Sequence, residues 1–133
     1  MRENEVSGVI LDAAIEVHRA LGGPGLLESV YEEALAYELI HRGLGVERQL
    51  DVPIHYKGQT LPTSLRLDLL VERLVVVEVK ATTQYNVVYE AQALTYLRLL
   101  GLKLALVINF GERRVVDGIH RVVNRLPDDA KPL

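Results

Sequence analysis

With 133 residues, 49% of them apolar and 25% charged, the chain has the composition of one folded domain, which excludes both disorder and a two-domain protein. The absence of cysteine excludes a disulfide framework, a thiolate metal site and a cysteine nucleophile. A net charge of −3 excludes tight binding of a polyanion by bulk charge, so any contact with nucleic acid is local or is mediated by a bound cation.

Val6, Ile10, Ala13, Ala14, Val17 and Leu21 recur at helical spacing and predict an amphipathic helix over 4–21. Gly22-Gly23-Pro24-Gly25 breaks it. A second helix, rich in Ala, Leu and Glu, runs over 26–42 and is capped by Gly43. The period then changes: 46–56 predicts a strand, Lys57-Gly58 a turn, 61–71 a second strand and 74–80 a third. The run from Leu74 to Val79 is apolar on both faces apart from Glu78, the mark of a central strand. A third helix over 86–100 stops at Gly101, a fourth strand covers 103–110 and a short strand lies near 119–123. Residues 127–133 read as a loose tail. The order predicts a single α/β domain with a mixed sheet, in which the crossover from Leu74 to Phe110 is parallel and right-handed. Met-Arg-Glu-Asn-Glu lacks the order of a signal peptide and no apolar run approaches the ~20 residues of a membrane span, so a cytoplasmic protein with no membrane partner is expected.

Two strands carry charge where their pattern calls for apolar residues. Strict alternation puts Glu78 and Lys80 on the face of Leu74 and Val76, and puts Asp68 with Arg66 and Leu70, opposite Leu65, Leu67 and Leu69. A loop of Glu72, Arg73 and Leu74 sets Val71 against Val75 and therefore Asp68 against Glu78, their Cβ atoms ~5 Å apart. Either residue alone reads as an exposed strand-end charge. Two carboxylates facing each other on adjacent strands repel, and a divalent cation such as Mg²⁺ is the natural intervening charge. Glu28, Tyr31 and Leu35 share one face of the second helix, which would turn Glu28 inward, while its place in the first turn equally suits a glutamate favoured by the N-terminal dipole; Gln92 and Tyr96 share a face of the third with Tyr85 and Tyr89. There is no Gly-x-Ser-x-Gly elbow and no phosphate-loop lysine, and His18, His41, His55 and His120 have no ligand spacing.

The spacing Gly25-x-x-Glu28-x-x-Tyr31 at the start of a helix resembles the GxxExxY proteins of bacteria. Asp68, Glu78-x-Lys80 and Gln92-x-x-x-Tyr96, in that order, resemble the motifs of the PD-(D/E)XK nuclease superfamily and its RecB-like branch, with Leu67 where the superfamily name places proline. The resemblance covers roughly Val6 to Arg121. It implies a restriction-endonuclease-like core, a mixed central sheet of four or five strands flanked by helices. It also implies roles: Asp68 and Glu78 as ligands of Mg²⁺ or Mn²⁺, with the Val79 carbonyl as a further ligand and Glu28 completing the shell. Lys80 would position or polarise the attacking water, Gln92 and Tyr96 would hold the lysine or touch the nucleic acid, and Tyr31 would support the site.

The expected activity is metal-dependent hydrolysis of phosphodiester bonds, on DNA in preference to RNA, by a homo-oligomer, in the first instance a dimer. Phosphodiester hydrolysis needs a Lewis acid to lower the pKa of bound water and to neutralise developing charge, and carboxylate-held metal supplies one without histidine or cysteine. Two alternatives use the same fold. A catalytically silent binding or assembly module suits the acidic balance, and a hydrolase of a small phosphate-containing molecule uses the same site without gripping a polyanion.

Overall fold

The computed structural model describes residues 1–126, and the tail read over 127–133 lies outside them. Five strands, β1 (Val46–Val52), β4 (Leu65–Val71), β5 (Val75–Lys80), β6 (Leu104–Asn109) and β7 (Ile119–Val123), form one sheet in that order. Between β1 and β4 the chain makes a separate small hairpin of β2 (His55–Tyr56) and β3 (Gln59–Thr60). The β5–β6 pair is parallel, joined through α3 (Val88–Leu100), and the other neighbours in the sheet are antiparallel. Helices α1 (Glu3–Ala20) and α2 (Glu28–His41) cover one face, and α3 covers the other. Among the described residues no helix is long and apolar enough to cross a membrane.

The valine run of β5 explains its central place. Val75, Val77 and Val79 pack beneath α1 and α2, while Val76 packs beneath α3, and all four are fully buried. Each such side chain stabilises the fold by roughly 1.5–3 kcal/mol relative to exposure, which only a two-sided strand can collect at every position. The Gly22–Gly25 break also forms as expected. Gly22 has a φ of 88°, the Gly23 N–H donates to His18 O at 2.8 Å and the Gly22 N–H donates to Arg19 O at 3.1 Å, which closes α1 through a left-handed residue.

Four expectations need correction. The strand expected over 46–56 ends at Val52, because Pro53 has no N–H to continue a ladder. Lys57 and Gly58, with φ of 49° and 78°, then turn the outlying hairpin, and the next strand begins at Leu65 rather than 61. The second helix starts at Glu28, two residues late.

The fourth correction concerns facing. Strict alternation would keep Leu67 with Leu69, yet Leu67 packs in the α3 cluster and Leu69 in the α1–α2 cluster. On β1, Val46 likewise packs toward α1 and α2, whereas Leu50 and Val52 pack toward α3. Both strands therefore change face at the same level without changing register: Arg48↔Leu69 is followed by Leu50↔Leu67. The residues left between those pairs are Gln49, whose φ is 52°, and Asp68. A left-handed residue in one strand rotates the chain there, and its partner strand follows.

Candidate active site

The expected β4–β5 register is observed. Val71 pairs with Val75, Leu70 with Val76 and Leu69 with Val77, which brings Asp68 opposite Glu78 at the next step. There the side chains take over from the backbone ladder. Glu78 Oε2 accepts the Asp68 N–H at 2.8 Å, and Asp68 Oδ2 accepts the Val79 N–H at 2.7 Å. Each carboxylate thus satisfies a main-chain donor of the opposing strand with one oxygen and keeps its other oxygen for a different partner. Glu78 is only 7% exposed. Burial is the main reason that Asp68 is pushed up to about 6 and Glu78 to about 8; their mutual repulsion adds strongly at Glu78, and Glu32 raises both.

Lys80 lies two residues beyond Glu78, with its Nζ 4.6 Å from the centre of the Tyr89 ring of α3. Its charge acts on both carboxylates, drawing their pKa values down, but it closes no ion pair among the described residues. The loop that follows Lys80 is fastened to the loop that follows β6. Asn109 Oδ1 accepts the Thr82 and Gly111 N–H groups at 3.0 and 2.9 Å, and Asn109 Nδ2 donates to Thr82 O at 3.0 Å.

On the α2 side, Asp68 borders a cleft of about 470 Å³ with Leu27, Glu28, Ser29, Glu32 and Gln49. Glu28 is exposed there, which corrects its inward reading. It is the first residue of α2 and projects past the covered part of the helix, whereas one turn later Glu32 is 6% exposed. Glu32 accepts from Gln49 Nε2 at 2.7 and 2.9 Å and from Arg48 at 3.1 Å. Glu32 had a sequence signal, since it stands three and seven residues before the buried Leu35 and Leu39. Gln49 had none.

The other expected residues fall in different places. Tyr31 is fully buried; its hydroxyl donates to Gly23 O at 2.7 Å and accepts the Leu26 N–H at 3.2 Å, so it fastens the glycine-rich loop to α2. Tyr96 donates to Arg66 O at 2.9 Å, and burial pushes its phenol up to about 12. Gln92 is exposed on α3, and the side chain beneath the Lys80 ammonium is Tyr89.

A mixed five-stranded sheet covered by helices on both faces, which brings Asp68, Glu78 and Lys80 together, is consistent with a nuclease-like α/β fold. The PD-(D/E)XK nuclease superfamily matches residues 4–122, and the chain belongs to that superfamily. No curated protein and no solved structure matches it.

A divalent metal is typical of such nucleases, and the residues present can be tested for it. Among the described residues, no three His, Asp or Glu side chains gather closely enough to enclose an ion by themselves. Mg²⁺ does not require that, because it commonly binds through one or two carboxylates and fills its remaining positions with water and substrate phosphate. Two hard carboxylates that repel one another, each with an oxygen to spare, fit such an ion.

Proposed function

We propose that this chain hydrolyses phosphodiester bonds in nucleic acid, DNA in preference to RNA, as a nuclease of the GxxExxY kind. The observation that carries the reading is the meeting of Asp68 and Glu78 across the opened end of β4 and β5, with an unpaired Lys80 beside them. Asp68 and Glu78 would hold Mg²⁺ or Mn²⁺ through their remaining oxygens, with the Val79 carbonyl and Glu28 as further oxygen donors. Such an ion, when bound, supplies a Lewis acid that makes water acidic enough to be a nucleophile near neutral pH.

The chain's own residues then divide the remaining work. Lys80, held over Tyr89 and free of a carboxylate partner, offers its ammonium to a phosphate oxygen and orients water beside it. Asp68 and Glu78 fix the site through the two main-chain hydrogen bonds that join their strands. Tyr96 keeps β4 against α3 by its bond to Arg66 O, and the exposed Gln92 faces any strand lying along that helix. Pairing of two copies would lengthen the surface offered to nucleic acid and belongs to the same proposal.

The decisive experiment incubates single-stranded and duplex DNA with the protein in Mn²⁺ or Mg²⁺, with EDTA as control, and compares wild type with Lys80→Ala. Metal-dependent cutting that falls by two orders of magnitude or more in Lys80→Ala is the expected result. Equal cutting by both proteins overturns the assignment of Lys80. No cutting by wild type, with metal binding intact, moves the reading to a small phosphate ester or to a silent binding module.

A further inference from the structure

Gln49 occupies a backbone conformation that costs a glutamine free energy and that glycine adopts freely. Its φ is 52°, it lies inside β1, and it stands at the one level where the β1–β4 pairing skips a pair. Opposite it in that skipped pair is Asp68. Strain of this kind persists where the surroundings impose it, and it concentrates at functional sites.

What the left-handed turn delivers is the direction of the side chain. The Gln49 amide donates to Glu32 Oε1 at 2.7 Å and to Oε2 at 2.9 Å, while Arg48 donates to Oε2 at 3.1 Å. A carboxylate gripped through both oxygens by one amide cannot turn about its last bond. Glu32, buried and held in this way, borders the cleft that also contains Asp68, whereas Glu28, one turn earlier, is exposed and has no hydrogen-bond partner among the described residues.

We infer that Gln49 is a positioning residue of the active site, and that through it Glu32 is a second α2 carboxylate, held fixed in the surroundings of the metal beside the exposed Glu28. The inference rests on the proposed metal-dependent site and adds to it a strand residue that sets the geometry of the helix carboxylate. Residues that orient groups around a metal govern its affinity, and their loss typically weakens binding ten- to a hundredfold.

The test separates backbone from side chain. Gln49→Gly relieves the left-handed strain but removes the donor to the buried Glu32, two opposed effects, so the fold should be kept with only a small change in melting temperature. Mn²⁺ affinity, measured by titration calorimetry on the full chain, should fall ten- to a hundredfold. Glu32→Gln should cause a comparable fall, and the double variant should lose no more than the weaker single one, because the two residues act through one contact. Gln49→Asn tolerates the backbone but stops one methylene short of Glu32, and it reads the same loss if the glycine variant is poorly folded. Asp68→Ala is the reference for a destroyed site. If wild type binds Mn²⁺ and Asp68→Ala does not, yet Gln49→Gly binds at wild-type strength, the positioning role is overturned and the site stands. Losses that add in the double variant, or that track only unfolded protein by circular dichroism, also overturn it. If wild type binds no Mn²⁺, the metal-site reading fails and this inference fails with it.

Discussion

Asp68 and Glu78 hold their protons more tightly in the folded chain than in the unfolded one, since values of about 6 and about 8 lie above their ordinary ~3.9 and ~4.3. The stability they contribute is therefore complete below pH ~4 and is lost as pH rises through about 6 for Asp68 and about 8 for Glu78. A divalent cation requires the deprotonated forms, so its affinity should rise across the same window, with protons released on binding. Calorimetric titrations of Mn²⁺ at pH 5.5, 7 and 8.5 in buffers of different ionisation enthalpy would show both effects; an affinity flat over that range contradicts the expected coupling. This pair was legible in the sequence, because a three-residue loop of Glu72, Arg73 and Leu74 sets Val71 against Val75 and hence position 68 against 78. Gln49 was not legible, since a left-handed residue inside a strand leaves no mark on hydrophobic period. Glu28 was misread because face-sharing arguments assume that helix neighbours are equally covered, and the first residue of a helix is not.

Elements meet at the end of β5 through one close contact. Any Cβ on Gly111 would lie 2.3 Å from Thr82 O and 2.5 Å from Thr82 N, so the two loops touch backbone to backbone. Gly111→Ala must push the post-Lys80 loop away and break the Asn109 bonds, with an expected cost of about 1–3 kcal/mol in urea unfolding. Gly8→Ala is the matched control. That position lies within α1 with nothing inside 4 Å of an added Cβ, and alanine there should stabilise by about 0.5–1 kcal/mol. At this scale the sequence read well wherever period or composition decides, as in the three helices and the buried β5. It read poorly wherever one residue breaks a run: Pro53 cut the first strand short, and the change of facing at Gln49 and Asp68 reversed the orientation expected for Leu67 relative to Leu69.

For the molecule as a whole, a net charge of −3 means that the proposed attraction of nucleic acid would have to come from locally placed cations and from a metal held at the site. Under the proposed function, cutting would therefore depend on a divalent ion at the binding step as well as at the chemical one. The β4–β5 turn has a consequence for how the chain reaches this state. Leu74 N–H closes on Val71 O at 3.0 Å, and the turn places Glu72 and Arg73, neither of them glycine, at φ of 54° and 52°. Glu72 is compensated by its bonds to Gly45, but Arg73 has only an exposed ion pair with Glu47, a contact of little net worth. The hairpin is the most local non-helical contact in the main sheet, so its loop closes at small entropic cost and is suited to forming early. Arg73→Gly should then stabilise the fold by about 0.5–1 kcal/mol and speed refolding by up to about fivefold with little change in unfolding. Stopped-flow chevrons would reveal it: a gain confined to the unfolding limb would mean that the two strands bearing Asp68 and Glu78 join late, on the native side of the folding barrier.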